Sequence, residues 1–144
     1  MKTIVIARHG SNTEKGNLSP QGKEQIKYLA TLLKKVVKKP AILTSTALRA
    51  VESAKILGSL FKVQAEKHQF LYRGVELEKL TNLIKSKAGT TDCIIIVTHL
   101  QYIDLFSKHI GKIFLETNFS EQQNIDNGQA LIINCKTKKI NLVG

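Results

Sequence analysis

Short, almost wholly apolar runs alternate along this chain with segments whose apolar residues recur at helical spacing, and that alternation narrows the fold more than any other feature. Thr3-Ile4-Val5-Ile6-Ala7 opens the sequence, Ala41-Ile42-Leu43-Thr44 follows Pro40, and Cys93-Ile94-Ile95-Ile96-Val97 is the most strongly β-forming run. Between them, residues 20 to 37 carry Ile26, Leu29, Leu33, Val36 and Val37 at helical spacing, with Ser19 as cap and Pro20 as first helical residue. Leu48, Val51, Leu57 and Leu60 mark a second helix over residues 46 to 60. Val75, Leu80, Leu83 and Ile84 mark a third, ending near Gly89, and Ile103, Phe106, Ile110 and Ile113 a fourth. Phe61 to Glu66 alternates apolar and polar, which predicts a half-buried strand near a sheet edge. Glu116 to Gly128 is polar and predicts a loop; residues 130–134 and 139–143 predict a hairpin over Lys136-Thr137-Lys138.

Strands alternating with helices predict an α/β fold, a three-layer sandwich. Its central sheet is mostly parallel, helices cover both faces, and a C-terminal antiparallel hairpin forms the edge. At 144 residues the chain is expected to be a single domain, 1–144. In open sheets of this kind ligands bind beyond the carboxyl ends of the strands. Arg8 and His9 follow the first strand; Thr44, Ser45 and Arg49 follow the second; Thr98 and His99 follow the run at 93–97. If those strands are neighbours, two histidines and two arginines meet at one rim.

That set suits phosphoryl transfer. A phosphoryl group in flight spreads negative charge over its equatorial oxygens, and the arginine fork matches that geometry. A neutral histidine attacks phosphorus to give a phosphohistidine that water hydrolyses. A second histidine, protonated by the bound dianion, donates to a phosphoryl oxygen. Arg49 falls in the first turn of its helix, where backbone N–H groups add to an anion site. His68 and His109 follow no rim strand and read as structural.

Composition excludes other classes. The formal charge of +11 draws anions. However, the densest lysine cluster, Lys34, Lys35, Lys38 and Lys39, sits at a helix end, where the dipole favours it. With five Phe, three Tyr and no Trp, none of them interleaved with the basic residues, the stacking platforms of single-strand binders are missing. No nucleic acid and no membrane partner is therefore expected. Cys93 and Cys135 lie in apolar runs and read as buried free thiols. The apolar start is too short for a signal peptide, and no run approaches a membrane span, so a cytoplasmic home is expected.

Arg8-His9-Gly10 directly after a first strand resembles the signature of the histidine phosphatase superfamily, which includes the phosphoglycerate mutases. Leu18-Ser19-Pro20-Gln21-Gly22-Lys23-Glu24-Gln25 is similar to that family's Leu-Thr-x-x-Gly-x-x-Gln. Thr44 to Ala54, with Arg49, resembles its Ser-x-x-x-Arg-Ala-x-x-Thr-Ala segment, and Ile96-Val97-Thr98-His99 resembles its second histidine motif. The resemblance runs from residue 3 to about 106. It implies His9 as the phosphorylated nucleophile, Arg8, Arg49 and His99 as the phosphate pocket, and no metal or organic cofactor.

Two departures shape the expected substrate. The stretch from Lys67 to Gly74 is short, which predicts an open site, and His99-Leu100 followed by a helix looks more like the small bacterial phosphohistidine phosphatases than the mutases. Many members place a glutamate acid in a Leu-x-Glu segment; here Leu71-Tyr72-Arg73 puts Arg73 at that place. Glu76 is the nearest downstream carboxylate, with Glu78 beyond it and Glu66 upstream. Alkoxide leaving groups need a proton in the transition state, whereas phosphohistidine expels imidazole, a better leaving group. Both departures favour dephosphorylation of phosphohistidine on a protein. The alternatives are a phosphomonoesterase for a small anionic metabolite, with Glu76 as the acid, then a phosphate-binding module without turnover, then a basic surface binder. A mutase, which must shield its phosphoenzyme in a closed site, fits poorly.

Overall fold

The computed structural model describes residues 1–144. Six strands form one sheet: β1 (Thr3–Arg8), β2 (Ala41–Thr44), β3 (Glu66–Lys67), β4 (Cys93–Thr98), β5 (Ala130–Asn134) and β6 (Lys139–Val143). Their order is β3-β2-β4-β1-β5-β6. The pairs β1–β4, β2–β4 and β2–β3 are parallel, whereas β1–β5 and β5–β6 are antiparallel. This is the expected α/β sandwich with its antiparallel hairpin at the edge.

The helices are α1 (Pro20–Leu33), α2 (Leu48–Phe61), α3 (Leu77–Lys87) and α4 (Leu100–Leu115), with a 3-10 turn over Gln69–Leu71. Successive strand side chains point to opposite faces, and the core divides accordingly. Ile4, Ile6, Leu43, Ile94 and Ile96 pack with Leu80 and Ile84 of α3 and Ile103, Phe106 and Ile110 of α4. Val5, Ala7, Ile42, Ile95 and Val97 pack with Ile26, Leu29 and Leu33 of α1 and Ala50, Ala54 and Leu57 of α2. All six residues of β4 are buried, as a parallel strand with helices on both faces requires. No helix is long and apolar enough to cross a membrane.

Three expectations need correction. The alternation from Phe61 to Glu66 is no strand: α2 runs through Phe61, whose ring is needed in the core, and Lys62 closes the helix at φ 57°. Only Glu66 and Lys67 remain as a short, exposed edge strand. The first helix ends at Leu33 rather than near 37, and Val36 is left exposed. Two consecutive β-branched residues and the approaching Pro40 both disfavour further helix. Cys93 is buried, but Cys135 is only half-buried at the end of β5; both thiols are free.

Candidate active site

β2, β4 and β1 are adjacent, so their carboxyl ends bring the predicted residues together. His9 leaves β1 held by its backbone N–H on Thr98 O at 3.2 Å, and Ser45 leaves β2 held on Val97 O at 3.2 Å. Arg49 is on the first turn of α2, and His99 is the N-cap of α4.

The contacts define the protonation of both imidazoles. His9 Nδ1–H donates to Gly10 O at 2.7 Å, which leaves a lone pair on Nε2; that nitrogen accepts from Arg49 Nε at 3.2 Å. His99 Nδ1 accepts from Arg49 Nη2 at 3.3 Å, so its Nε2–H donates to Ser45 Oγ at 2.8 Å. One guanidinium therefore presents two donors to two histidines, whose rings lie 5.0 Å apart. Both rings are buried, with 5% exposure for His9 and 1% for His99. Burial, reinforced by the neighbouring arginines, depresses both pKa values, to about 4 for His9 and about 3 for His99. Both are neutral at physiological pH, the state a nitrogen nucleophile needs.

Arg8 stands beside this pair. Its Nη1 donates to Ile125 O at 3.0 Å, while its Nε is buried with no hydrogen-bond partner. Burial lowers the Arg8 pKa, and Asp126 opposes that effect. An orphaned buried donor costs about 1–3 kcal/mol, and an anion bound here would satisfy it.

The surrounding loops are shaped by motif residues. A Cβ on Gly10 would come within 2.5 Å of Gly22 O, and one on Gly22 within 2.0 Å of Ser11 O, so the turn after His9 can press against the start of α1 only because both are glycine. Ser19 Oγ caps α1 by accepting from Gly22 N at 3.0 Å. Gln25 grips Ser11 twice, Oε1 accepting from the backbone N–H at 2.8 Å and Nε2 donating to Oγ at 3.0 Å. From α2, Ser53 Oγ accepts from Gly10 N at 3.0 Å and donates to Arg49 O at 2.7 Å, tying the turn after His9 to the helix of Arg49. Glu52 Oε1 accepts from Leu18 N at 2.9 Å.

Residues 4–72 match the family model of the histidine phosphatase superfamily, branch 1. Nearly half of the chain, Arg8, His9 and Arg49 included, is thus similar to the histidine phosphatase superfamily. By class the chain is a phosphatase. The solved structures that share its fold include the protein histidine phosphatase SixA in complex with tungstate, at 14% identity and TM-score 0.74 over 99% of this chain and 94% of that one. The SixA protein of Agrobacterium tumefaciens superimposes at TM-score 0.74 with 14% identity over 99% of this chain and 98% of its own. A mycobacterial glucosyl-3-phosphoglycerate phosphatase does so at TM-score 0.69 with 14% identity, covering 99% and 97%. At that identity the likeness is one of fold. No curated protein sequence matches the chain significantly.

Glu76 is not brought to this site. It lies exposed before α3, its carboxylate pairs with Lys79 at 3.5 Å, and it makes no hydrogen bond to His9, Arg8, Arg49 or His99. His68 follows β3 at the rim, its N–H donating to Thr44 O at 2.8 Å, but its ring pairs with Glu66 at 3.5 Å and makes no hydrogen bond to the site, and His109 Nε2 meets Thr81 Oγ1 at 2.7 Å. A surface groove of ≈ 660 Å³ between α3 and the end of α4 shares no residue with the site.

Ser45, expected at the rim without a stated role, meets His99 as given above. Two further participants escaped the sequence reading. The polar segment 116–128 folds back to His9: Gly128 N donates to His9 O at 3.0 Å and Asn127 Nδ2 to the same oxygen at 3.3 Å. Phe119 and Ile125 of that segment are buried, and these two apolar residues were the available signal. The short stretch after β3, expected to leave the site open, reaches it: the Tyr72 ring stacks on His99 with centroids 3.7 Å apart.

Proposed function

We propose that this phosphatase dephosphorylates phosphohistidine on a protein through a covalent phosphoenzyme on His9. The observation that carries the mechanism is the single guanidinium of Arg49, set 3.2 Å from a free lone pair on His9 and 3.3 Å from His99. A phosphoryl group entering there takes over both Arg49 donors and releases the His9 Nε2 pair to attack phosphorus. Arg49 and Arg8 then neutralise the equatorial oxygens, with the orphaned Arg8 Nε gaining an acceptor. The dianion raises the basicity of His99, whose Nδ1 takes a proton from solvent and keeps it while hydrogen-bonding a phosphoryl oxygen. Water attacks the phosphoenzyme and frees phosphate.

Phosphohistidine is favoured because no carboxylate hydrogen-bonds to His9 or His99 or acts on their charge. The likeness to SixA structures supports the same substrate class, and a cytoplasmic location and one catalytic domain over 1–144 fit it. A small phosphorylated metabolite is the second reading, supported by the likeness to the glucosyl-3-phosphoglycerate phosphatase fold. Rapid-quench trapping with a phosphohistidine protein, phosphoserine peptides and sugar phosphates separates the two. Phosphohistidine should label His9 and turn over fastest; hydrolysis of esters alone, with none of the phosphoramidate, would overturn the substrate assignment.

A further inference from the structure

Tyr72 falls at the unspecified middle position of the Leu-x-Glu segment, and the structure sets it against the phosphoryl site. Its ring lies at 26° to His99, and its hydroxyl accepts from Arg49 Nη2 at 3.4 Å. The phenol O–H itself has no acceptor in the protein, so its proton is free. The residue is anchored on several sides. Its backbone N–H donates to Gln69 O at 3.0 Å, and Thr98 Oγ1, one residue before His99, donates to Leu71 O at 2.7 Å. Tyr102 of α4 backs its ring edge-on at 6.4 Å and stacks in turn on Phe106 at 5.7 Å.

We propose that Tyr72 is a catalytic residue, the proton donor to the leaving group, standing in for the carboxylic acid that the site lacks. This rests on the reading that His9 attacks phosphorus. His9 Nε2 and Tyr72 Oη meet the same guanidinium at different nitrogens, Nε and Nη2. A phosphoryl group held across that edge has the nucleophile at one end and the phenol at the other, and in-line displacement puts the departing atom on the side away from the nucleophile.

The step balances. The Nε2 pair forms the N–P bond while the bond from phosphorus to the leaving group breaks, its electron pair staying with the leaving group. The phenol proton passes to the leaving imidazole's other ring nitrogen, or to the bridging oxygen of an ester, and Arg49 holds the phenolate. In the second step water attacks phosphorus and gives its proton to the phenolate. The N–P pair then returns to His9 and inorganic phosphate leaves.

Tyr72→Phe keeps the ring on His99 and removes only the hydroxyl. kcat/KM is to be measured for both proteins on p-nitrophenyl, phenyl and alkyl phosphates and on a phosphohistidine protein. The variant should lose about 100-fold on the alkyl phosphate and less than about tenfold on p-nitrophenyl phosphate, whose leaving group needs little protonation. On phosphohistidine the loss should grow with pH, as the substrate's own ring proton is lost. A uniform loss across the series, or none, overturns the role of Tyr72. Trapping the phosphoenzyme from p-nitrophenyl phosphate separates this from the underlying reading: no phosphoenzyme in the unmodified protein overturns both, whereas labelled His9 beside a flat leaving-group series overturns Tyr72 alone.

Discussion

At the residue scale, one arginine organises the site. Arg49 touches His9, His99 and Tyr72, so its removal takes charge from the transition state and releases three neighbours at once. Arg49→Ala should lower kcat/KM by at least about 100-fold, read in steady-state hydrolysis of p-nitrophenyl phosphate. His9→Ala should abolish phosphoenzyme formation while circular dichroism and melting stay close to the parent, since the ring's polar contacts are confined to Gly10 and Arg49 within the site. A labelled phosphoenzyme in that variant would sink the His9 mechanism. His9, Arg8, Arg49 and His99 were all readable as candidates because each follows a strand whose apolar run is plain. Tyr72 was not, because its neighbour on the site, His99, is far along the chain and only folding sets one against the other.

At the element scale, the site depends on two segments that the sequence leaves almost featureless. The stretch between β3 and α3 is short, which suggested an uncovered site. It instead forms a 3-10 turn latched to the end of β4 by the Thr98–Leu71 bond, and this latch presents Tyr72. Thr98→Val keeps the shape of a fully buried side chain but orphans the Leu71 carbonyl. It should cost about 1–3 kcal/mol of stability, seen in urea titration. The loss of activity on alkyl phosphates should exceed that on p-nitrophenyl phosphate; equal losses on both would mean that the latch serves the fold alone. The 116–128 segment lacks periodicity because its backbone serves as a brace: its carbonyl and N–H groups hold Arg8 and the His9 carbonyl, and backbone groups leave no trace in composition.

At the scale of the whole molecule, the two buried histidines couple the site to stability. In the unfolded chain both titrate near the ordinary value of about 6.5, and in the fold they titrate at about 4 and about 3. Between those limits the unfolded state holds more protons, so folding is penalised as pH falls below about 6.5, and this penalty is absent above it. Unfolding free energy should therefore climb from pH 4 to 6.5, and His99→Gln should flatten that climb; an unchanged slope would place the acid sensitivity elsewhere. The core behaves as one unit around β4, and Ile95→Ala should cost about 2–5 kcal/mol in the same titration, since Ile95 is fully buried beneath α1 and α2. The sequence by itself determined the α/β class, the C-terminal hairpin and the four rim residues, because burial on one or both faces of a strand imposes apolar periods, and glycine and proline mark where those periods stop. Only the tertiary structure decided that α2 absorbs Phe61, that Glu76 stands away from the site, and that Tyr72 and the 116–128 brace join it. Those outcomes depend on contacts between residues distant in the chain, and on backbone hydrogen bonds that any side chain could accompany. The charged cluster that opens at Arg8 and His9 is thus local in its chemistry and global in its assembly.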